Sequence, residues 1–157
     1  AQWLKQSPGD IQLSMYVADT LLASKKYKEA IAQLEPLVAK APNNPVLLNN
    51  LAWAYQQVKD PRALKTAEKA LSLAGDNPAV LDTLGTMLVE QGDAKRGLGY
   101  LKTALSKSPG DANIRLHLAQ ALARSGDKAG ARKELEQVMV TKGFAGMAEA
   151  RALQQSL

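Results

Sequence analysis

The sequence predicts an all-α fold built from helix pairs that repeat every 33 or 34 residues. Three observations carry this reading. The tetrapeptide SPGD stands at 7–10 and again at 108–111, 101 residues apart, which is three such periods. Within each period the apolar residues recur at spacings of three and four, in two separate stretches, as two amphipathic helices require. Turn-forming residues fall at both ends and near the middle of every period.

Composition agrees. The 157 residues are 46% hydrophobic but only 4% aromatic, and the apolar share is dominated by Ala and Leu, which favour helix over sheet. No apolar run approaches the roughly 20 residues needed to cross a bilayer. The opening AQWLKQSPGD lacks the basic start and apolar stretch of a signal peptide. With no initiator Met, the chain reads as an excised or processed piece of a longer protein. The absence of cysteine excludes disulfides, thiolate metal sites and a Cys nucleophile. A net charge of +5, with a pI near 9.5, permits association with acidic partners without demanding it.

Taken in order, residues 1–10 read as the tail of a preceding repeat, with Trp3 at a core position. Four repeats follow at 11–44, 45–77, 78–111 and 112–143. Their seventh positions are Val17, Leu51, Leu84 and Leu118. The eighth are Ala18, Ala52, Gly85 and Ala119, and the twentieth are Ala30, Ala63, Gly97 and Ala131. Small residues at both places let the two helices of a pair approach closely. Asn44-Pro45, Asp60-Pro61 and Asn77-Pro78 each set a capping side chain before a Pro at the first helical position. Gly92-Asp93 and Gly126-Asp127 place a left-handed residue at a helix end and a cap at the next. SPGD does the same service: it closes one repeat, and Asp10 or Asp111 caps the next helix. Pro36, inside a second helix, is expected to kink it, and Gly99 to weaken another by roughly 1 kcal/mol relative to Ala. The segment 144–157 reads as a final capping helix, over about 145–156, with Ala148, Arg151 and Ala152 at helical spacing and Leu153 and Leu157 apolar; this looks like a true C-terminal end.

In these features the chain resembles the tetratricopeptide repeat (TPR) family, whose unit is a helix–turn–helix of 34 residues. The pattern covers essentially the whole chain, most clearly in NPAVLDTLGTMLVEQGDAKRGLGYLKTALSKSPGD and DANIRLHLAQALARSGDKAGARKELEQV. Departures are Ser14 and Arg115, where a large residue is usual, and Gly75, where Pro is usual. The resemblance implies a right-handed α-solenoid of four repeats plus a partial N-terminal helix and a C-terminal cap. It also implies a concave groove lined by positions 2, 5, 9, 12 and 13 of each first helix. Among the residues at those positions, the candidate partner contacts are Asp19 in the first repeat; Asn49, Trp53, Gln56 and Gln57 in the second; Asp82, Thr86 and Glu90 in the third; and Gln120 and Arg124 in the fourth. Trp53 offers a large apolar face there, with Asn49, Gln56 and Gln57 placed to hydrogen-bond a peptide backbone; its alternative fate is packing between neighbouring helices. The Lys, Asn and Arg by which some family members clamp a chaperone's C-terminal carboxylate are absent, so that activity is not carried over.

Catalysis finds no support. His117 is the single histidine, with no Cys and no evident carboxylate motif beside it, and is expected to pack or to be exposed. No GxxxxGK[ST], GxGxxG or HExxH occurs. Neither a catalytic residue, a metal nor a cofactor is expected. The partner is expected to be a protein or peptide in the groove. Lys25, Lys26, Lys28, Lys65, Lys69, Lys95, Arg96 and Lys102 fall in turns and second helices, so the groove is not basic and no specific nucleic acid is expected. An RNA-binding helical repeat, and a spacer or array that self-associates through its N-terminal face, stay open as alternatives.

A closer resemblance rests on NNLAWAYQQVKDPRALKTAEKALSLAGDNPAVLDTLGTML and IRLHLAQALARSGDKAGARKEL. These are similar to the C-terminal part of bacterial TPR lipoproteins that accompany exopolysaccharide clusters and the PEP-CTERM/exosortase system. That resemblance implies a periplasmic or outer-membrane-associated setting, a lipid anchor outside this segment, and a role in polymer export or protein sorting.

Overall fold

The computed structural model of the chain describes residues 11–157. Trp3 and Asp10 therefore lie outside the described residues. Among the described residues nine helices follow one another: α1 (Ile11–Ala23), α2 (Tyr27–Lys40), α3 (Pro45–Gln57), α4 (Ala63–Ala74), α5 (Pro78–Glu90), α6 (Ala94–Lys107), α7 (Ala112–Arg124), α8 (Lys128–Met139) and α9 (Met147–Ser156). No strand occurs among them. The chain divides into two compact units at Gly75–Asp76.

The helix starts are set by the side chains that satisfy the orphan N–H groups of a first turn. Asn44 accepts from the N–H groups of Val46 and Leu47 at 3.0 and 3.2 Å, with Pro45 opening α3. Asn77 does the same for Ala79 and Val80 ahead of Pro78. Asp111 takes Asn113 and Ile114, and Asp93 and Asp127 each take one N–H of the following helix. Asp60 departs from the expected pattern. The α4 helix begins at Ala63, and Asp60 instead accepts from the N–H of Arg62 and grips its guanidinium at 3.0 and 2.7 Å. A charged guanidinium two residues on outcompetes the first-turn amides for this carboxylate.

In the first unit, α1 packs on α2, α2 on α3 and α3 on α4. Ala18, Ala30, Ala52 and Ala67 are fully buried at these contacts, around Leu34 and Leu47. Helix α2 runs unbroken through Pro36, whose ring nitrogen denies the Ala32 carbonyl its usual donor. Tyr55 is 3% exposed, and its hydroxyl donates to Glu35 at 2.7 Å. Burial and the adjoining carboxylate push this phenol up to about 12.

The second unit holds α5–α9. Its α5–α6 pair crosses at Gly85 and Gly97, which occupy the positions filled by alanines in the other repeats. One cluster joins Val89, Leu101, Leu118, Leu122 and Ala131. Another joins Leu116, Ala119, Leu135, Val138 and Ala150, covered by Phe144, Leu153 and Leu157. So α9 caps the apolar face of α7 and α8 through Ala150 rather than through Ala148, Arg151 and Ala152, which are exposed. The helix starts at Met147, two residues later than expected, after a turn in which Phe144 folds back on the core. Arg115, unusual for its position, ties the last pair together: it meets Glu134 of α8 at 2.6 Å and the Pro109 carbonyl, within SPGD, at 2.8 Å.

Candidate functional site

The residues expected to line a groove fall into two sets, one in each unit. In the second unit, Asp82, Thr86 and Glu90 succeed one another at four-residue spacing along α5, and so share one face of it. His117, Gln120 and Arg124 do the same on α7, at spacings of three and four. The two helices are neighbours, so these faces meet.

At one end of the meeting, the Asp82 carboxylate holds His117 Nδ1 at 2.8 and 3.0 Å. Asp82 is only 9% exposed. The expectation that it offers itself to a ligand is therefore altered: it orients the histidine ring. His117 also has the carboxylate partner that the sequence did not reveal. The two residues lie 35 apart, and only the stacking of successive first helices brings them together. Burial opposes the charged imidazole, but the hydrogen bond and charge of Asp82, with Glu149 and Asp111 beyond it, outweigh burial and shift His117 upward from its ordinary value.

Next to this pair lies a small cavity of about 30 Å³, lined by Thr86, Val89, Glu90, His117, Gln120, Ala121 and Arg124. That volume accommodates about two waters. The buried hydroxyl oxygen of Thr86 has no hydrogen-bond partner among the described residues. A buried hydroxyl left so costs about 1–3 kcal/mol, which a water or a ligand donor would restore. A second recess, of about 520 Å³, shares Glu90, Gln120 and Arg124 with the cavity and is bounded also by Ala123, Lys128, Leu153, Ser156 and Leu157. Leu153, Ser156 and Leu157 belong to the C-terminal segment and were not anticipated as site residues; their contribution follows from α9 folding onto α7 and α8. The recess is apolar on the α9 side and carries both signs of charge on its rim.

In the first unit, the expected residues are more dispersed. Asp19 of α1 accepts from Asn50 of α3 at 2.9 Å. Asn49, Trp53 and Gln56 are half-buried along one face of α3, and Gln57 is exposed. The Asn49 side-chain oxygen is buried without a partner among the described residues. Nothing here assembles a nucleophile, a base and its orienting group, and among the described residues no three His, Asp or Glu side chains gather as a metal centre would need.

The geometry defines a helical-repeat protein built of successive helix pairs. Tetratricopeptide repeat models match residues 18–78 and 88–156. The chain belongs to the tetratricopeptide repeat family, and its fold is an all-α TPR solenoid. The Vi polysaccharide export protein VexE of Salmonella typhi is 30% identical over 130 residues, covering 80% of this chain and 20% of VexE. The chain spans about a fifth to under a third of the length of the curated relatives it matches. Among solved structures, TTC0263, a thermophilic TPR protein of Thermus thermophilus, superposes with a TM-score of 0.82 at 19% identity, over 97% of this chain and 85% of that one. YrrB, described as a TPR protein with an unusual peptide-binding site, gives 0.67 at 16%, over 97% and 78%. No helix among the described residues is long and apolar enough to cross a membrane.

Proposed function

We propose that this chain is a non-catalytic protein-interaction scaffold that holds an extended segment or a helix of another protein against its first helices, within a bacterial envelope system for polysaccharide export or protein sorting. The observation that supports the first part is that Thr86, Glu90, Gln120 and Arg124, groove residues implied by the family resemblance, line two adjoining recesses that share Glu90, Gln120 and Arg124. Such a recess, apolar with a few polar groups at its edge, suits a side chain or two of a bound segment with its backbone amides near Gln120 and Thr86. Asn49, Trp53, Gln56 and Gln57 provide a second contact face in the first unit. The peptide-binding site named for YrrB supports the binding mode, and the export role named for VexE supports the cellular setting. On this reading 1–157 is one domain of four repeats with a terminal cap.

The test is a pull-down from envelope and soluble fractions of the cell that makes the protein, with Trp53→Ala and Gln120→Ala/Arg124→Ala as matched baits. A protein retained by the unmodified chain and lost by either variant, at unchanged helix content, supports the scaffold reading. Equal retention by all three places the binding surface elsewhere. A retained nucleic acid whose binding falls steeply with salt would replace a protein partner with RNA.

A further inference from the structure

The third, seventh and eleventh positions of each repeat form a stripe along its first helix, because residues four apart share a face. In α3 the stripe is Leu47, Leu51 and Tyr55, and in α7 it is Ile114, Leu118 and Leu122; all six are buried. In α1 the same stripe is Leu13, Val17 and Leu21, and all three are half-exposed. The α1 residues are as apolar as their counterparts, so the difference lies in what covers them.

In the other two cases the cover is the second helix of the repeat before: α2 packs on α3 and α6 on α7. Two residues near the end of that second helix supply it. The twenty-eighth position is Val38 in α2, which borders one groove with Leu51 and Tyr55, and Leu105 in α6, which packs against the cluster that holds Leu118 and Leu122. The twenty-seventh position is Leu37 in α2 and Ala104 in α6, both buried. One period of 34 residues before Leu37 and Val38 stand Trp3 and Leu4. The 101-residue spacing of SPGD leads from Ala104 and Leu105 to the same two residues. Both precede the described residues.

We propose that the apolar stripe of α1 is the docking site of this chain's own N-terminal segment, with Leu4 seated on Val17 and Leu21 and Trp3 beside it, in the places that α2 and α6 give to Leu37 and Val38 and to Ala104 and Leu105. The segment brings apolar side chains at the spacing the stripe requires. It is tethered to α1, so its effective concentration exceeds that of any separate occupant. Tryptophan also buries more area than the leucine or alanine of the later repeats, which suits a short segment standing where a whole helix stands elsewhere. Docking of this kind withholds from a second copy an apolar surface that would otherwise invite association.

The chain has no cysteine, so a designed pair can be read without background. Leu4→Cys/Val17→Cys, in the whole chain and at unchanged helix content, is expected to close an intramolecular disulfide under mild oxidation, seen as a faster-running monomer on a non-reducing gel. Leu4→Cys/Lys69→Cys, with its second site exposed on α4, is expected to stay reduced. Trp3 gives a separate reading with both partners intact. In the Trp53→Phe chain it is the sole tryptophan. Its emission is expected to be blue-shifted, and several-fold less quenched by acrylamide, than in the same chain unfolded in guanidinium. Adding Leu21→Glu is expected to remove that protection. A first pair that stays reduced overturns the seat assigned to Leu4, and a Trp3 as quenchable as in the unfolded chain overturns the docking itself. Protection that survives Leu21→Glu would place Trp3 away from the stripe. Disulfide-linked dimers in place of the intramolecular bond would assign the stripe to a second copy, and also overturn the proposal.

Discussion

Gly85 of α5 and Gly97 of α6 meet backbone to backbone: a Cβ placed on Gly97 would stand 2.6 Å from the Gly85 carbonyl oxygen, and one on Gly85 would stand 2.9 Å from that of Gly97. The other repeats place buried alanines at both positions, Ala18 with Ala30 and Ala119 with Ala131. The third repeat has therefore exchanged two methyl groups for a closer crossing, and Val89 and Leu101 fill the margins of that crossing.

Gly97→Ala should destabilise the protein. Helix propensity alone would favour the change by about 1 kcal/mol. Overpacking against a carbonyl oxygen and the Val89 side chain, neither of which is free to swing clear, costs about 1–3 kcal/mol and outweighs it. A lower melting temperature is expected, by a few degrees, in circular dichroism. An unchanged or raised value would mean that α5 and α6 separate without penalty.

Gly99→Ala, two residues on, should do the opposite. The site is exposed and no atom lies within 4 Å of an added Cβ. A gain of about 1 kcal/mol is expected, or roughly 2–4 °C in a chain of this size. The contrast between the two alanine variants tests packing against propensity in a single helix.

Lys59→Gly should also stabilise. The turns between paired helices place Gly92 and Gly126 at φ 95° and 91°, and the corresponding residues of the first two repeats are Lys25 and Lys59, at φ 57° and 58°. A side chain in the left-handed region costs about 1–2 kcal/mol, and glycine escapes most of it. Because glycine also loosens the unfolded chain, a net gain of about 0.5–1 kcal/mol in chemical denaturation is expected.

The Asp82–His117 pair makes stability depend on pH. The histidine pKa is raised in the folded chain, so the charged pair contributes fully below the unfolded value near 6.5 and is lost as pH rises through the folded value. Melting temperature should fall over that interval in the wild type, and His117→Gln should flatten the dependence. A wild-type profile that rises through the same interval would contradict the assigned ion pair.

The period, the caps at Asn44, Asn77, Asp93, Asp111 and Asp127, and the buried small positions were all legible in the sequence, because each depends on residues a few places apart. That Thr86 and Glu90 share one face of α5, and Gln120 and Arg124 one face of α7, was legible for a related reason: in a repeat, position within the period dictates the face. What lay outside reach was contact between periods. Nothing local says that Asp82 turns to His117 or that Leu153 and Leu157 wall a recess on α7. Each of these depends on how one helix pair stacks on the next, or on where α9 comes to rest.

The most direct test of the scaffold reading is site-specific photo-cross-linking in the cell that makes the protein, with p-benzoylphenylalanine at Arg124, which borders the recess, and at Lys133, exposed on α8 away from it. The account predicts a discrete cross-linked protein from position 124 that is absent from position 133. Equal products at both positions, or none from 124 while 133 captures a partner, would contradict it.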